Sequence, residues 1–295
     1  MNLINVFHST KNYLSKYWNN QKTKKYLFDI NNKQVEAGYF IHYMDEKVVR
    51  HIVELSTSHG CPMKCKFCAS SSIISVNALL ANELLEIFEY IYNDNNLSEC
   101  DYVLVAMAGI GELYFTFDNV KEFILQANTT YQNLRFATSS CCMNAELFDK
   151  LEILSNQVIF DNIQITHLST DVDKIMSLVP GIPNIINSAE MSELILMSKL
   201  DVIRINYLLI KDINDSINDI KDFIKCYSSV KEKIVVKVST LNETAASRIN
   251  KLKSGDLNRA KEFNNHLVNA GFDSYVFHSF LDDKMNCGQL ASECK

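Results

Sequence analysis

Three cysteines carry the clearest chemical signal in the sequence: Cys61, Cys65 and Cys68, spaced C-x3-C-x2-C. A cubane iron–sulfur cluster normally takes four thiolates, so a tight loop that offers three leaves one iron without a protein ligand. An open coordination position on a redox-active metal is typical of a catalytic site, as it is for zinc. The spacing therefore predicts a [4Fe-4S] cluster whose remaining iron is free to bind another molecule.

Zinc binding and disulfide formation are the alternative explanations for these cysteines. A structural zinc site usually takes four Cys or His ligands in two pairs, and the sequence has no second C-x2-C, although His59 can serve as a fourth ligand. A disulfide framework fits poorly because the nine cysteines are odd in number, two are adjacent, and the N-terminus shows no secretory leader. We therefore favour the cluster.

The composition indicates one globular domain. The chain has 295 residues, 47% of them hydrophobic, which suffices for one large core, and its three prolines and eight glycines form no linker. No uninterrupted apolar stretch approaches the roughly 18 residues that a membrane span needs. Reduced thiols and an oxygen-sensitive cluster agree with a reducing compartment, so we expect a cytoplasmic protein without a membrane partner.

Charge is unevenly distributed along the chain. The net charge is −6, yet residues 1–50 hold eight Lys or Arg against four acids, a local charge of +4. The acidic remainder argues against nucleic acid as a partner, because phosphate contacts depend on Lys and Arg. Within residues 11–28, five lysines alternate with aromatic residues. This pattern suits nucleic-acid binding, but a surface helix with inward aromatics is the favoured interpretation.

From residue 50 onward, short β-branched runs alternate with longer amphipathic stretches, which predicts a parallel sheet with helical crossovers. Strand signals lie at residues 50–56, 102–106, 134–138, 162–166, 202–210 and 234–240. Helix signals lie at residues 76–92, 118–128, 144–154, 187–199 and 215–226. Six such units predict an α/β fold, a partial (βα)6 TIM-like barrel, with the cysteine loop on the rim where the strands end.

Short extensions flank this barrel in the predicted organisation, which divides the chain into residues 1–49, 50–245 and 246–295. The first part is expected to supply a helix and a hairpin with strands at residues 25–30 and 36–44. The last part is expected to supply a helix near residues 256–270, a strand at residues 274–278 and a polar tail.

The cysteine motif resembles that of the radical S-adenosylmethionine enzymes, which have a partial barrel of the predicted type. In that superfamily the amine and carboxylate of the cofactor's methionine part bind the unique iron, and the reduced cluster cleaves the sulfonium to a deoxyadenosyl radical. The segment Ala108-Gly-Ile-Gly-Glu112 after the second strand is similar to the family's Gly-Gly-Glu element. The resemblance implies that Gly109 and Gly111 allow close approach and that Glu112 accepts a bond from the cofactor's ammonium.

A narrower resemblance, running through most of the chain, is to the class A radical methyltransferases that modify C2 or C8 of adenine in rRNA. Those enzymes have a Ser/Thr-rich third strand end, a Ser/His element after the fourth strand, an Asn after the sixth and a C-terminal Cys-Gly-Gln-Leu. The corresponding residues here are Thr138, Ser139, His167, Asn242 and Cys287. The resemblance implies that the first four shape the S-adenosylmethionine pocket and that Cys287 is methylated and carries the methyl group.

Departures from that family change the implied chemistry. Glu54 stands where the family has a second cysteine, and its carboxylate can remove a proton but cannot form the disulfide that releases the product. Ile41 stands where the family uses an acidic base, and the residues before position 50 leave no room for the family's RNA-binding domain. Cys141, Cys142 and Cys294 are candidates for a replacement resolving thiol.

These features together predict a cobalamin-independent methyltransferase that acts on an sp2 carbon of a small molecule or peptide, with Cys287 and Glu54 as catalytic residues. Its expected cofactors are a [4Fe-4S] cluster and S-adenosylmethionine, and its expected electron donor is of the flavodoxin or ferredoxin type. The alternatives are an oxidoreductase or peptide-modifying enzyme that uses the radical directly, an rRNA or tRNA adenine C-methyltransferase, and a cluster-bearing module without chemistry.

Overall fold

Twelve strands form one sheet in the computed structural model, which describes residues 1–8, 14–15, 18–19, 23–44, 47–277 and 288–290. The strands are β1 (Asn2–His8), β2 (Leu14–Ser15), β3 (Trp18–Asn19), β4 (Lys24–Ile30), β5 (Lys33–Met44), β6 (Lys47–Leu55), β7 (Val103–Met107), β8 (Leu134–Ser140), β9 (Phe160–His167), β10 (Ile203–Leu209), β11 (Ile234–Thr240) and β12 (Asp273–Phe277). The α-helices are α1 (Ala81–Asp94), α2 (Leu113–Thr130), α3 (Ala145–Ser155), α4 (Val172–Leu178), α5 (Ser188–Met197), α6 (Ile217–Tyr227), α7 (Ala245–Ile249) and α8 (Leu257–Asn269).

Seven parallel strands, β6 to β12, form the wall of the barrel. They pair in chain order, and every connection between them contains at least one helix. The α/β partial barrel predicted from the sequence is therefore confirmed, and the predicted strand at residues 274–278 extends it as β12, a seventh parallel strand. Within the described part of the chain, no helix combines the length and the apolar character that crossing a bilayer requires.

The helices predicted from periodicity are present, with shifted ends. α1 begins at Ala81 instead of residue 76, because Ala78 bridges to Ser58 of the cysteine loop and Glu83 caps the first turn. α2 begins earlier than predicted because Glu112 caps it by accepting a bond from Tyr114 N. α4 and α7 have only seven and five residues, which is too short for a helical period to show in the sequence.

The helix predicted within residues 11–28 is absent from the described part of that segment. The described residues there are strands: β4 and β5 form the expected antiparallel hairpin, and β5 pairs antiparallel with β6, so the extension continues the barrel sheet. Tyr26, Phe28 and Ile30 are buried at every second position of β4, which is the period of a strand. Two of the aromatic residues that suggested a helix are therefore core residues of a strand.

The barrel strands bury two faces of different chemistry. One face packs against the helices and is apolar; on β6 it presents Val53 and Leu55. Because side chains alternate along a strand, Glu54 lies on the other face, which points into the barrel. A small apolar patch around Leu104 and Ala137 also lies on that inner face. The interior therefore combines polar and apolar groups, and a reaction site on the rim opens onto it.

Asn214 joins the ends of β9 and β10 at the rim. Its buried amide donates to Leu168 O at 2.6 Å and Leu208 O at 2.8 Å, and its side-chain oxygen accepts from Ile210 N at 2.7 Å. We expect Asn214→Ala to lower the free energy of unfolding by about 2–4 kcal/mol, because three backbone groups lose their partner. Urea unfolding against the exposed control Asn218→Ala measures this. Equal midpoints for the two variants would contradict it.

Candidate active site

The cysteine loop follows β6 and is held by hydrogen bonds from three later parts of the chain. These bonds are Lys66 N to Leu178 O, Gly181 N to Met63 O and Ala69 N to Gly288 O (2.9 Å each), Thr244 Oγ1 to Phe67 O (3.0 Å) and Asn250 Nδ2 to Lys66 O (3.1 Å). Inside the loop, the Lys64 ammonium donates to Ser71 O at 3.2 Å and Ile73 O at 3.0 Å. The shape of the loop is therefore fixed without its cysteine side chains.

The side chains of Cys61, Cys65 and Cys68 are partly buried on this loop. Burial, together with the neighbouring Cys65 and Glu112, raises the pKa of Cys61 to about 12. Thiolates in such surroundings need positive charge, which the irons of a cluster supply. No three candidate ligands among the described residues gather around one point as a single metal ion requires. A cubane instead takes each thiolate on a different iron, so the donor set fits the cluster.

His59, the alternative zinc ligand, is buried near the start of the loop. Its ring Nδ1 lies 3.4 Å from Gln34 O, and its backbone N donates to Asn77 O at 2.9 Å. These contacts indicate a structural role for His59 in the loop.

Gly109 and Gly111 lie where the end of β7 passes the start of the cysteine loop. A Cβ on Gly109 would lie 2.8 Å from Ser56 N, and one on Gly111 would lie 2.2 Å from Thr57 Oγ1. Gly111 also has a φ of +129°, which L side chains rarely adopt. Because Gly109 and Gly111 have no side chains, the start of the cysteine loop packs closely against the segment after β7. This close packing places Glu112 against the loop.

Glu112 is the centre of a buried hydrogen-bond network at the rim. Its carboxylate accepts bonds from the Ser140 hydroxyl, from Cys141 N at 3.1 Å and from the Cys141 thiol at 3.2 Å. Burial raises the pKa of Glu112, and the bonds from Ser140 and Cys141 oppose that rise. A buried carboxylate beside the cysteine loop is suited to an ammonium group, because a charge-assisted bond is strong there.

Two of the other predicted cofactor residues, Ser139 and Asn242, lie toward the barrel opening. Ser139 accepts a bond from Gln164 Nε2 at 3.1 Å across the inner face of β8 and β9. Asn242 follows β11 by two residues, just before Thr244, which bonds the cysteine loop. Both positions agree with a place near the cysteine loop.

Thr138 and His167 are buried near the carboxyl ends of β8 and β9. The His167 ring lies among Tyr207, Phe223 and Tyr227, with centroids 5.0 to 5.7 Å away, on the helix-facing side of the sheet. Burial lowers its pKa to about 3, so the imidazole is neutral. Neither Thr138 Oγ1 nor His167 Nε2 has a hydrogen-bond partner among the described residues. His167 nevertheless lines one cavity with Cys141, whose thiol lies 3.2 Å from Glu112 Oε2.

Residues 288–290 of the tail pack on the cysteine loop and reach the barrel interior. A Cβ on Gly288 would lie 3.9 Å from Cys68 Sγ, and the Lys25 ammonium donates to Gln289 O at 2.6 Å. Cys287 and Cys294 lie outside the described residues, so their expected roles stay predictions. Nevertheless, Gly288, the residue that follows Cys287, lies beside Cys68.

Glu54 lines the cavity into which these tail residues extend. The cavity is also lined by Lys25, Glu36, Cys68 and Gly288. Burial raises the pKa of Glu54, and the positive charges of Lys25 and Lys237 oppose that rise. Glu54 therefore lies in one cavity with Cys68 and the tail.

Charged residues line the opposite end of the barrel interior. Asp161 pairs with Arg50 at 2.9 Å and with Arg135 at 3.5 Å. Arg50 Nε also donates to the Tyr102 hydroxyl at 2.9 Å, and the Arg135 guanidinium lies 4.7 Å from the centre of the Tyr102 ring. The sequence does not reveal this network, because its members are far apart along the chain. A polar interior of this kind suits a polar substrate.

Proteins of similar sequence are named as RNA methyltransferases. The chain is 28% identical over 280 residues to the probable dual-specificity RNA methyltransferase RlmN of Pseudothermotoga lettingae, covering 91% of this chain and 76% of the relative. It is 24% identical over 284 residues to the dual-specificity RNA methyltransferase RlmN of Nautilia profundicola, covering 91% and 77%. No family model matches the chain. The expectation that nucleic acid is not a partner receives no support from these relatives.

The fold is shared with solved structures. A radical SAM methyltransferase from Sphaerobacter thermophilus matches with a TM-score of 0.80 over 98% of this chain and 81% of that chain, at 19% identity. Spore photoproduct lyase matches with a TM-score of 0.53 over 75% of this chain and 74% of that chain, at 9% identity. The structures confirm the predicted fold, and the sequence relatives confirm the resemblance that the motifs indicate.

Proposed function

We propose, from the premise that this chain is a radical S-adenosylmethionine enzyme similar to the class A methyltransferases, that it methylates an sp2 carbon of a small molecule or peptide. Its cofactors are a [4Fe-4S] cluster and S-adenosylmethionine. It needs an external electron donor, for which we propose a flavodoxin or ferredoxin. The contact of residues 288–290 with the cysteine loop is the observation that carries the proposal, because these residues directly follow Cys287.

The cysteine loop and its surroundings hold both cofactors in this proposal. Cys61, Cys65 and Cys68 hold the cluster, which when bound and reduced supplies the electron that cleaves the sulfonium. Glu112 accepts the ammonium of the methionine part and orients it at the loop. Ser139 and Asn242 offer hydrogen bonds to the polar groups of the cofactor from the barrel opening.

The remaining proposed cofactor residues act through packing. Gly109 and Gly111 keep Glu112 against the loop by letting the two backbones approach. Thr138 and His167 support the strand ends from the helix-facing side, since His167 is buried there among aromatic rings.

Cys287 is the methyl carrier in this proposal. Its thiol releases a proton, and the thiolate attacks the methyl group of S-adenosylmethionine. A bond between Cys287 sulfur and the methyl carbon forms, the bond from that carbon to the sulfonium breaks, and S-adenosylhomocysteine leaves. A deoxyadenosyl radical from a second S-adenosylmethionine would then take a hydrogen atom from the carried methyl group and leave as deoxyadenosine, and the resulting carbon would form the bond to the sp2 carbon. The bond from Cys287 sulfur to that carbon would break when a second thiol forms a disulfide with Cys287.

Glu54 is the proposed base that removes the proton from the methylated carbon. Burial raises the pKa of Glu54 and so makes its carboxylate a stronger base, while the positive charges of Lys25 and Lys237 favour the ionised form. Because a carboxylate cannot form a disulfide, a thiol must release the product. Cys141, Cys142 and Cys294 are the proposed candidates for that thiol.

An adenine base of rRNA or tRNA is the second candidate acceptor. The names of the similar RlmN proteins favour it. The polar groups of the barrel interior do not discriminate between the two acceptor classes, since both present polar groups. The experiment that follows therefore includes RNA as a separate sample.

Mass spectrometry of anaerobically reconstituted protein tests the carrier. After incubation with S-adenosylmethionine and reductant, we expect a gain of about 14 Da on Cys287, the mass of an added methyl group in place of a proton. Trypsin releases residues 285–295 as one peptide that holds both Cys287 and Cys294, so fragmentation must assign the mass to one of them. The Cys294→Ala variant should keep the adduct and Cys287→Ala should lose it.

The same variants discriminate between the functions. If Cys287 gains no mass in the intact protein, the carrier role is wrong. If Cys287→Ala still forms deoxyadenosine coupled to substrate, the enzyme uses the radical directly. Protein that binds S-adenosylmethionine without releasing methionine or deoxyadenosine is a module without chemistry. Transfer of a labelled methyl group from S-adenosylmethionine to adenine in added rRNA or tRNA would favour the second acceptor.

A further inference from the structure

We propose that Lys25 is a positioning residue for the methyl transfer: its ammonium holds residues 288–290 against the barrel, so that the neighbouring Cys287 meets the methyl group of S-adenosylmethionine. The inference deepens the proposed function, because it gives the carrier a fixed place and assigns a role to the amino-terminal extension. It rests on the carrier role of Cys287, but the contact between Lys25 and the tail is tested without that role.

Lys25 lies on β4, outside the parallel strands of the barrel, and its side chain points into the barrel interior. The next residue, Tyr26, packs into the helix-facing core, and successive side chains of a strand point to opposite faces. Lys25 is only 6% exposed. A buried ammonium destabilises a fold unless acceptors surround it, so the contacts of Lys25 are the reason that it is tolerated there.

The ammonium of Lys25 has acceptors from two distant parts of the chain. It donates to Gln289 O at 2.6 Å, and the Glu36 carboxylate lies 3.7 Å away. Glu54 lines the same cavity as these three residues. The tail carbonyl is nearer to the ammonium than the Glu36 carboxylate is. Lys25 therefore joins the tail to the amino-terminal extension across a separation of 264 residues.

Two other contacts hold the tail on separate parts of the site. Ala69 N of the cysteine loop donates to Gly288 O at 2.9 Å, and Gln289 Nε2 donates to Glu243 O at 2.7 Å. Of these three anchors, the one from Lys25 is the only one with a charged donor. A hydrogen bond from a charged donor is about twice as strong as one between neutral groups. Loss of the Lys25 ammonium should therefore loosen the tail.

The geometry of methyl transfer explains why this anchor matters. Attack of a thiolate on a methyl carbon requires the two atoms to lie about 3–3.5 Å apart, in line with the bond that breaks. A thiol on an unanchored tail samples many positions and meets that requirement rarely. Gly288 and Gln289 directly follow Cys287, so anchoring them restricts the positions that the thiol can take. Lys25 therefore acts on the rate of transfer through the tail.

Hydrogen exchange tests the contact itself. The amide of Ala69 reports on the tail, because its proton is bonded to Gly288 O. In reconstituted Lys25→Met protein we expect this amide to exchange about tenfold faster than in the wild type, since the tail leaves the loop more often. Lys24→Met is the matched control, because Lys24 is the preceding residue of β4 and its ammonium pairs with Asp94 at 2.6 Å instead. Its Ala69 amide should exchange as in the wild type.

The rate of Cys287 methylation tests the positioning role. Mass spectrometry of the peptide of residues 285–295 follows the gain of about 14 Da over time at saturating S-adenosylmethionine. We expect Lys25→Met to lower this rate about 10- to 100-fold, while the Kd for S-adenosylmethionine and the iron content stay as in the wild type. The pKa of Glu54 does not enter, because the measured step precedes the one proposed for Glu54.

The outcomes are distinguishable. Unchanged exchange of the Ala69 amide in Lys25→Met would overturn the proposed anchor, and faster exchange with an unchanged methylation rate would overturn its role in positioning. Equal effects in Lys24→Met would also overturn the proposal. If the wild type gains no mass on Cys287, the carrier role is wrong, whereas Ala69 exchange still decides whether Lys25 holds the tail. Lys25→Gln, which is shorter and uncharged, replaces Lys25→Met in both measurements if the methionine variant does not fold.

Discussion

Replacing Cys68 with alanine is expected to remove the cluster and with it the cleavage of S-adenosylmethionine. Iron in the reconstituted protein should fall from about four per chain to below one, because two remaining loop thiolates do not hold a cubane. Formation of deoxyadenosine under dithionite should fall by about a thousandfold or more, since no other group supplies the electron. Iron and sulfide analysis and chromatography of the nucleosides measure the two effects.

The fold should survive this substitution. The loop is held by backbone and non-cysteine side-chain bonds, so the circular dichroism of the variant should match that of the wild type. Cys100→Ala is the matched control, because that thiol is free and lies away from the loop at the end of the segment after α1. A full iron content in Cys68→Ala, or an equal loss in Cys100→Ala, would contradict the proposed ligand set.

Replacing Glu112 with alanine is expected to weaken S-adenosylmethionine binding about 10- to 100-fold. A hydrogen bond to a charged group contributes about 1.5–3 kcal/mol, and the carboxylate is buried where water does not replace it. Equilibrium dialysis with the reconstituted protein measures the Kd. Glu122→Ala is the control, because Glu122 is an exposed glutamate in α2, the helix that Glu112 caps.

The pH dependence of binding gives a second readout for Glu112. Burial raises the pKa of this carboxyl, so the ionised form that pairs with an ammonium is present only above the raised pKa. Wild-type affinity should therefore increase as the pH rises through that value, and Glu112→Gln should lose the increase. An affinity for S-adenosylmethionine that is the same in Glu112→Ala, Glu122→Ala and the wild type would exclude the proposed role.

The barrel could be predicted from the sequence because its signals are local. Residues 134–138 and 234–240 have the composition of strands by themselves, and the observed β8 and β11 include them. The interior position of Glu54 also follows from local alternation, because Val53 and Leu55 are apolar and face the helices. The helix predicted within residues 11–28 was wrong for the described part of that segment, because the buried aromatic residues Tyr26 and Phe28 are two positions apart, which is the period of a strand.

The contacts that build the site are not local, and the sequence does not reveal them. His167 follows Thr166 directly, and a motif cannot say which of two neighbours in a strand faces the barrel; the structure buries the ring among aromatic residues. The contact of the Cys141 thiol with Glu112 joins the ends of β8 and β7. β7 and β8 are adjacent parallel strands, so residues that follow them lie close together. The only sign of this contact in the sequence is that Glu112 and Cys141 each follow a predicted strand.

The attachment of Gly288 to Ala69 constrains how the protein acquires its metal during biosynthesis. A nascent chain still on the ribosome exposes the three cysteines long before residues 178–181, 244–250 and 288 exist to brace them. Iron delivered at that stage meets an unbraced peptide open to oxygen. We therefore expect the cluster to be inserted after translation, when residues 288–290 have emerged and packed on the cysteine loop.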